Sequence, residues 1–189
     1  MKTEQIEKIK NAFNDLPEHW LLLFVIDAED YLEKNIAILN EVLKQEDTVG
    51  VYVTLNRPYS VLTKILEKNN INTDKLYFID CITKMLGTEK EEKKCLFLEN
   101  PQNLTNITIA IEEIISTIPS KNKSLFVDPL STLLIYNRAE TVSKFLHFLI
   151  GKIRVLNLNG VLLSSEKELD PEFADQLEQF VDKTVDLSK

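Results

Sequence analysis

The sequence predicts an α/β fold, a three-layer sandwich in which a mostly parallel sheet carries helices on both faces. Three observations predict it. Apolar runs such as Trp20-Leu-Leu-Leu-Phe-Val-Ile26 lack the polar alternation of a half-wet sheet, so they suit strands covered on both sides. Segments of helical period separate these runs, as crossovers between parallel strands require. No internal repeat or low-complexity linker divides the 189 residues, which predicts a single domain over 1–189 with a full hydrophobic core.

The elements follow in order. An N-terminal helix within residues 1–15 places Ile6, Ile9 and Phe13 on one face, and Pro17 breaks the chain before the strand Trp20–Ile26. Leu32, Ile36, Leu39 and Leu43 recur at helical spacing, so a helix is expected from about Glu29 to Lys44. Val49–Leu55 is the next strand, and Pro58 suits the first turn of a helix carrying Val61, Leu62, Ile65 and Leu66. A short strand, Leu76–Ile79, ends at Asp80. Residues 83–94, with Gly87 and the charge run Thr88–Lys94, read as an exposed, mobile loop. Cys95–Leu98 adds a small edge strand, and Ile107, Ile111, Ile114 and Ile118 mark a helix that Pro119 ends. The strand Ser124–Asp128 stops at Pro129-Leu-Ser131. A long helix from about Arg138 to Leu156, the strand Gly160–Ser164, a short helix around Phe173 and Leu177, and the strand Lys183–Leu187 complete the pattern. The long helix is apolar over more than one stripe. Burial is the expectation, and self-association through it the alternative.

Composition narrows the function. A net charge of −8 argues against sequence-independent nucleic-acid binding, which needs Lys and Arg on phosphates. Cys81 and Cys95 have no His or Cys at metal-ligand spacing and read as reduced thiols. The N-terminus lacks the order of a signal peptide, and the longest apolar run falls well short of the ~20 residues a bilayer helix needs. A cytoplasmic protein with no membrane segment is expected. His19, His147 and the pair Ser164-Ser165 have no evident chemical partner nearby in sequence, and packing or strand termination accounts for them.

The segment Ser124-Leu-Phe-Val-Asp128 carries the most chemistry. An aspartate at the carboxyl end of a buried parallel strand is where P-loop enzymes hold magnesium. Together with Val51-Tyr-Val-Thr-Leu55, Leu76-Tyr-Phe-Ile-Asp80, Gly160-Val-Leu-Leu-Ser-Ser165 and Phe180–Leu187, it resembles the RecA-like ATPase core, more narrowly the KaiC-like proteins common in archaea. The resemblance covers roughly residues 16–187 through the order and spacing of these motifs. It implies a P-loop ATPase fold, with Asp128 at the Walker B position. With Lys34 set on the phosphate-loop lysine, Ala28 and Glu33 fall on its two glycines and Asn35 on its Ser/Thr.

The departures decide the functional expectation. Glycines are needed in that loop so the backbone can turn tightly and offer bare N–H groups to phosphate. Glu33 would obstruct such a cradle, which makes the loop degenerate. Asp27, Glu29 and Asp30 crowd the start of the following helix, where an anion would otherwise bind, with Asp27 suited to be its N-cap. The glutamate that activates water in the family is replaced by Asn56 and Arg57, neither of which is a carboxylate base.

Lys34 and Asp128 are therefore the candidate cofactor-binding residues, with no catalytic or metal residue assigned. ATP and magnesium are not expected. Lys34 can alternatively be an exposed helix lysine, and Asp128 a strand-end carboxylate capping backbone N–H groups. The expected function is that of a pseudo-ATPase, a regulatory or scaffolding domain that binds a protein partner or itself. The abundance of Lys, Ile and Asn, with little Gly or Ala, suggests an AT-rich genome, and the resemblance suggests an archaeal setting. The alternative is a magnesium-dependent nucleotide-binding protein or phosphohydrolase using the strand-end acids Asp27, Asp80 and Asp128. Under a RecA-like strand order, Asp80 is expected to lie too far along the sheet to join the other two.

Overall fold

Seven short strands, none with a hairpin partner, form one parallel sheet in the computed structural model, which describes residues 3–87, 91–165 and 171–188 without the side chains of residues 171 and 172. The chain runs α1 (Thr3–Ala12), β1 (Leu21–Ile26), α2 (Tyr31–Leu43), β2 (Val49–Thr54), α3 (Tyr59–Lys68) and β3 (Leu76–Asp80). It continues through β4 (Cys95–Phe97), α4 (Leu104–Thr117), β5 (Lys123–Asp128), α5 (Leu130–Tyr136) and α6 (Ala139–Val155), then β6 (Asn159–Ser165), α7 (Pro171–Glu178) and β7 (Lys183–Asp186). The strand order is β4-β3-β2-β5-β6-β1-β7, and every pairing is parallel. This is the expected three-layer α/β sandwich.

The burial of both sheet faces explains the unbroken apolar strands. On one face Leu22, Phe24, Tyr52, Phe78 and Phe126 pack under α1, α2 and α3. On the other, Leu21, Leu23, Val51, Val53 and Leu125 pack under α4 to α7. Alternate residues of one strand thus serve two cores, so a polar residue in a central strand faces apolar neighbours on either side. Among the described residues no helix is long and apolar enough to cross a membrane.

Several boundaries differ from expectation for local reasons. Helix α2 begins at Tyr31, with Asp30 as its N-cap residue, so Asp27 is not the cap. Strand β5 is followed at once by α5, after a cis Asp128–Pro129 peptide. Its seven residues, mostly apolar, span too short a stretch for a helical period to announce a helix. The expected loop begins with a 3-10 turn over Thr83–Leu86, whose Thr83 is buried while Met85 and Leu86 are exposed. Residues 88–90 of the charge run lie outside the described residues. Helix α6 buries Val142, Phe145, Leu146, Leu149, Ile150 and Ile153, as favoured over an exposed patch, but leaves Phe148 and Val155 outside.

Gly160 of β6 sits close against both the neighbouring strand β1 and helix α6. A Cβ there would lie 2.3 Å from Leu21 Cδ1 and 3.4 Å from Ile153 Cδ1, both in buried side chains. Gly160→Val is expected to lower the unfolding free energy by about 1–3 kcal/mol through overpacking. Urea denaturation checks this. A variant as stable as the parent would mean that Leu21 can swing aside.

Candidate functional site

The carboxyl ends of β2 and β5 form the natural place for a ligand. The chain leaves β2 for α3 on one face and leaves β5 for α5 and α6 on the other, and such switch points are where open α/β sheets bind. Strand pairing sets Thr54 of β2 between Asp80 of β3 and Asp128 of β5. Three acids end predicted strands, and each has its own surroundings.

Asp128 has no solvent access. Its Oδ1 accepts a hydrogen bond from the Tyr31 hydroxyl at 2.6 Å, and its Oδ2 accepts one from the Tyr52 hydroxyl at 2.5 Å. Asn35 Nδ2 in turn donates to the Tyr52 oxygen at 2.8 Å. The result is a buried relay from Asn35 through Tyr52 to Asp128, closed on its other side by Tyr31. Arg57 Nη1 stands 4.0 Å from Oδ2, without a hydrogen-bond acceptor of its own. Its position follows from Thr54, whose hydroxyl donates to the Arg57 carbonyl at 2.6 Å. Tyrosine inside a central strand requires a partner for its hydroxyl, and Asp128 supplies it.

Burial raises the Asp128 carboxyl above the ordinary carboxylate range, while the two tyrosine hydroxyls and Arg57 pull it back. Both tyrosines are pushed well above their usual value, first by burial and then by the Asp128 charge. They stay protonated at neutral pH and act as donors. A metal at Asp128 would have to displace one hydroxyl for each oxygen it took.

Lys34 is buried without solvent access, so it is not the exposed helix lysine considered as an alternative. Its ammonium donates to the Leu187 carbonyl at 2.8 Å and to Asp27 Oδ2 at 3.2 Å, with Asp30 at 3.6 Å. Helix α2 directs it toward the end of β7. Lys34 and Asp128 therefore take different partners.

Asp80 fills the capping role considered for Asp128. Its carboxylate accepts from the Tyr59, Ile82 and Thr83 N–H groups at 2.6, 2.7 and 2.8 Å, and from the Thr83 hydroxyl at 2.5 Å. Asp128 instead bonds two side-chain hydroxyls. The strand order separates the acids, with β2 between β3 and β5, and β6 between β5 and β1. Among the described residues no group of three or more His, Cys, Asp or Glu side chains could hold a metal ion. His147 packs edge-on against Phe180 at 4.9 Å.

Tyr31 and Tyr52 are the members that sequence reasoning missed. The signal available was Tyr52 itself, a hydroxyl in the middle of Val51-Tyr-Val53. Tyr31 gave none, because a tyrosine in a first helical turn is ordinarily half-exposed.

Comparison with known proteins adds three findings. The model of a family of unknown function, DUF7504, matches residues 37–187. No curated protein matches the chain in sequence. Among solved structures, a KaiC-like protein from the hyperthermophilic archaeon Pyrococcus horikoshii superposes with a TM-score of 0.65 at 14% identity, over 92% of this chain and 74% of the other. An uncharacterized Pyrococcus horikoshii protein in complex with an unknown peptide superposes with a TM-score of 0.70 at 14% identity, over 95% and 82%. The fold is thus RecA/KaiC-like.

Two measurements probe the buried relay. Tyr52→Phe leaves an Asp128 oxygen and the Asn35 amide short of a partner, and is expected to cost about 1–3 kcal/mol in urea denaturation. The second is pH dependence. A folded-state pKa above the unfolded value means the native state binds more protons, so stability is full below the unfolded pKa of about 3.9 and falls as pH rises through the folded one. Asp128→Asn removes this pH dependence. Its stability relative to the parent should therefore improve from pH 4 upward and level off above the folded pKa, and a difference flat with pH would refute the assignment.

Proposed function

We propose that this chain, which belongs to the DUF7504 family of unknown function, is a non-catalytic RecA/KaiC-like domain that acts as a regulatory or scaffolding protein. It works by binding protein, in an archaeal cytoplasm, and does not hydrolyse ATP. One observation carries the reading. Asp128 and Lys34, at the positions where the resembled enzymes meet magnesium and phosphate, are both buried and already bonded to groups of the same chain.

The local backbone supports it. Only residues 27–30 join β1 to α2, and Glu33 lies inside the helix instead of in a phosphate-wrapping loop. Lys34 is turned to the Leu187 carbonyl and to Asp27, so a phosphate would compete with partners that cost no entropy to recruit. Asn56 and Arg57 follow β2 where a water-activating carboxylate would stand. One neighbour of the same fold carries a bound peptide, which favours a binding role for the architecture.

The test is a thermal-shift titration with ATP and ADP, with and without magnesium. A ligand that binds only the folded state stabilises it by RT ln(1 + [L]/Kd), so millimolar affinity suffices to raise Tm. The expected outcome is an unchanged Tm at several millimolar nucleotide. A magnesium-dependent rise that Asp128→Ala abolishes would sink the proposal and establish a working nucleotide site.

A further inference from the structure

The two edges of the sheet differ. At one, α1 lies across β7: the Lys8 ammonium donates to the Asp186 carbonyl, and Lys183 reaches back to the Asn11 and Ala12 carbonyls at 3.3 Å each. At the other, β4 borders a groove of about 790 Å³ lined by Glu92, Lys93, Cys95, Leu96 and Phe97 among others. Strand pairing fixes which main-chain groups face outward. The Phe78 N–H donates to the Lys94 carbonyl at 2.7 Å and the Leu98 N–H to the Asp80 carbonyl at 2.8 Å, so residues 94, 96 and 98 turn their main chain to β3. Cys95 and Phe97 turn theirs away. The Cys95 N–H folds back on the Glu92 carbonyl at 3.3 Å. The Cys95 carbonyl and both main-chain groups of Phe97 are left without a partner among the described residues.

Such an edge is complementary to the main chain of another extended segment. Side chains of an added strand alternate between the two faces of the sheet. Strand β4 offers a partly buried apolar residue on each face: Leu96 on the side of α4, and Phe97 on the side of α3, where its ring meets Tyr59. The charges select the segment. Glu91 and Glu92 before β4 and Glu99 after it are exposed, and none has an ion-pair partner among the described residues. Lys94 is held by Asp74, so the exposed Lys93 is the cation left to offset them. A second copy paired antiparallel along this edge would set its Glu99 toward Glu91 and Glu92, like charge against like, on chains of net charge −8. A basic segment carries no such penalty and meets opposite charge at both ends of the strand.

We infer that the free edge of β4 takes up an extended segment of a partner protein, bearing Lys or Arg, as an added strand. The inference rests on the protein-binding role proposed above and names the chemistry of the partner. The probe is a soluble peptide alternating lysine and valine, titrated into the full chain and followed by amide hydrogen exchange. The Phe97 amide, free in the unbound protein, should exchange at least tenfold more slowly at saturation. The Leu98 amide, already bonded to Asp80, is the reference.

Two control peptides separate the contributions. One with every amide N-methylated cannot pair along the edge, and one with glutamate in place of lysine meets like charge; each should bind at least tenfold more weakly. Changing Glu91→Lys, Glu92→Lys and Glu99→Lys together, all at exposed positions, should reverse the preference between the lysine and glutamate peptides without lowering Tm. Unchanged Phe97 exchange at the highest soluble concentration of the lysine peptide overturns the inference, and so does equal binding of the methylated one. Protection confined to other amides would leave a protein-binding role standing and remove this edge from it. A magnesium-dependent nucleotide shift would instead remove the role itself.

Discussion

The burial of one carboxylate, Asp128, organises the carboxyl edge of the central strands. A carboxylate at the end of a central strand, covered by helices, is tolerated only if hydrogen bonds replace water. Here the donors are Tyr52 from the adjacent β2 and Tyr31 from the first turn of α2. Their meeting requires β2 beside β5 and α2 packed over that face. The same α2 sends Lys34 to the Leu187 carbonyl at the end of β7 and supplies Asn35 to the relay. Elements from both halves of the sequence thus interlock through polar groups at the sheet edge, between two apolar cores.

This arrangement inverts the economy of a ligand site on the same fold. A binding edge leaves donors and acceptors free so that the ligand completes them. At Asp128 and Lys34 the chain completes them itself, with partners that need not be recruited from solution. Breaking one member of such a buried set leaves another uncompensated, which is more costly than the net worth of the set. Asp80 makes the contrast within one molecule: its four short bonds are mostly to backbone N–H groups and secure the start of α3 and the following turn. Two strand-end aspartates, two residues beyond aromatic Phe126 and Phe78, thereby do different work. Their partners distinguish them: the following turn and the start of α3 for Asp80, Tyr52 of β2 and Tyr31 of α2 for Asp128.

Much of the fold was legible because its signal is repeated. Trp20–Ile26 and Leu125–Val127 are apolar throughout, and Leu32, Leu39 and Leu43, or Ile107, Ile111 and Ile114, keep a helical period long enough to identify the segment. Helix α5 was not legible, because seven residues give two turns and no stable period. The Asp27 cap was misplaced for a related reason. Several acids before one helix are equivalent in sequence, and the pairing of Asp27 with Lys34 depends on where α2 turns that side chain.

What the sequence determined by itself is a parallel α/β scaffold whose phosphate-loop region lacks glycine and is rich in acids, because composition and periodicity are properties of neighbouring residues. Tertiary structure alone decided the fate of the polar side chains. Tyr52 precedes Asp128 by 76 residues and Lys34 precedes Leu187 by 153, and those separations close only when the sheet assembles. Burial then converts a lysine that would read as exposed and a tyrosine that would read as packing into the partners of a carbonyl and a carboxylate. A hydrogen bond across such distances is a property of strand order and helix packing, and no local pattern encodes it.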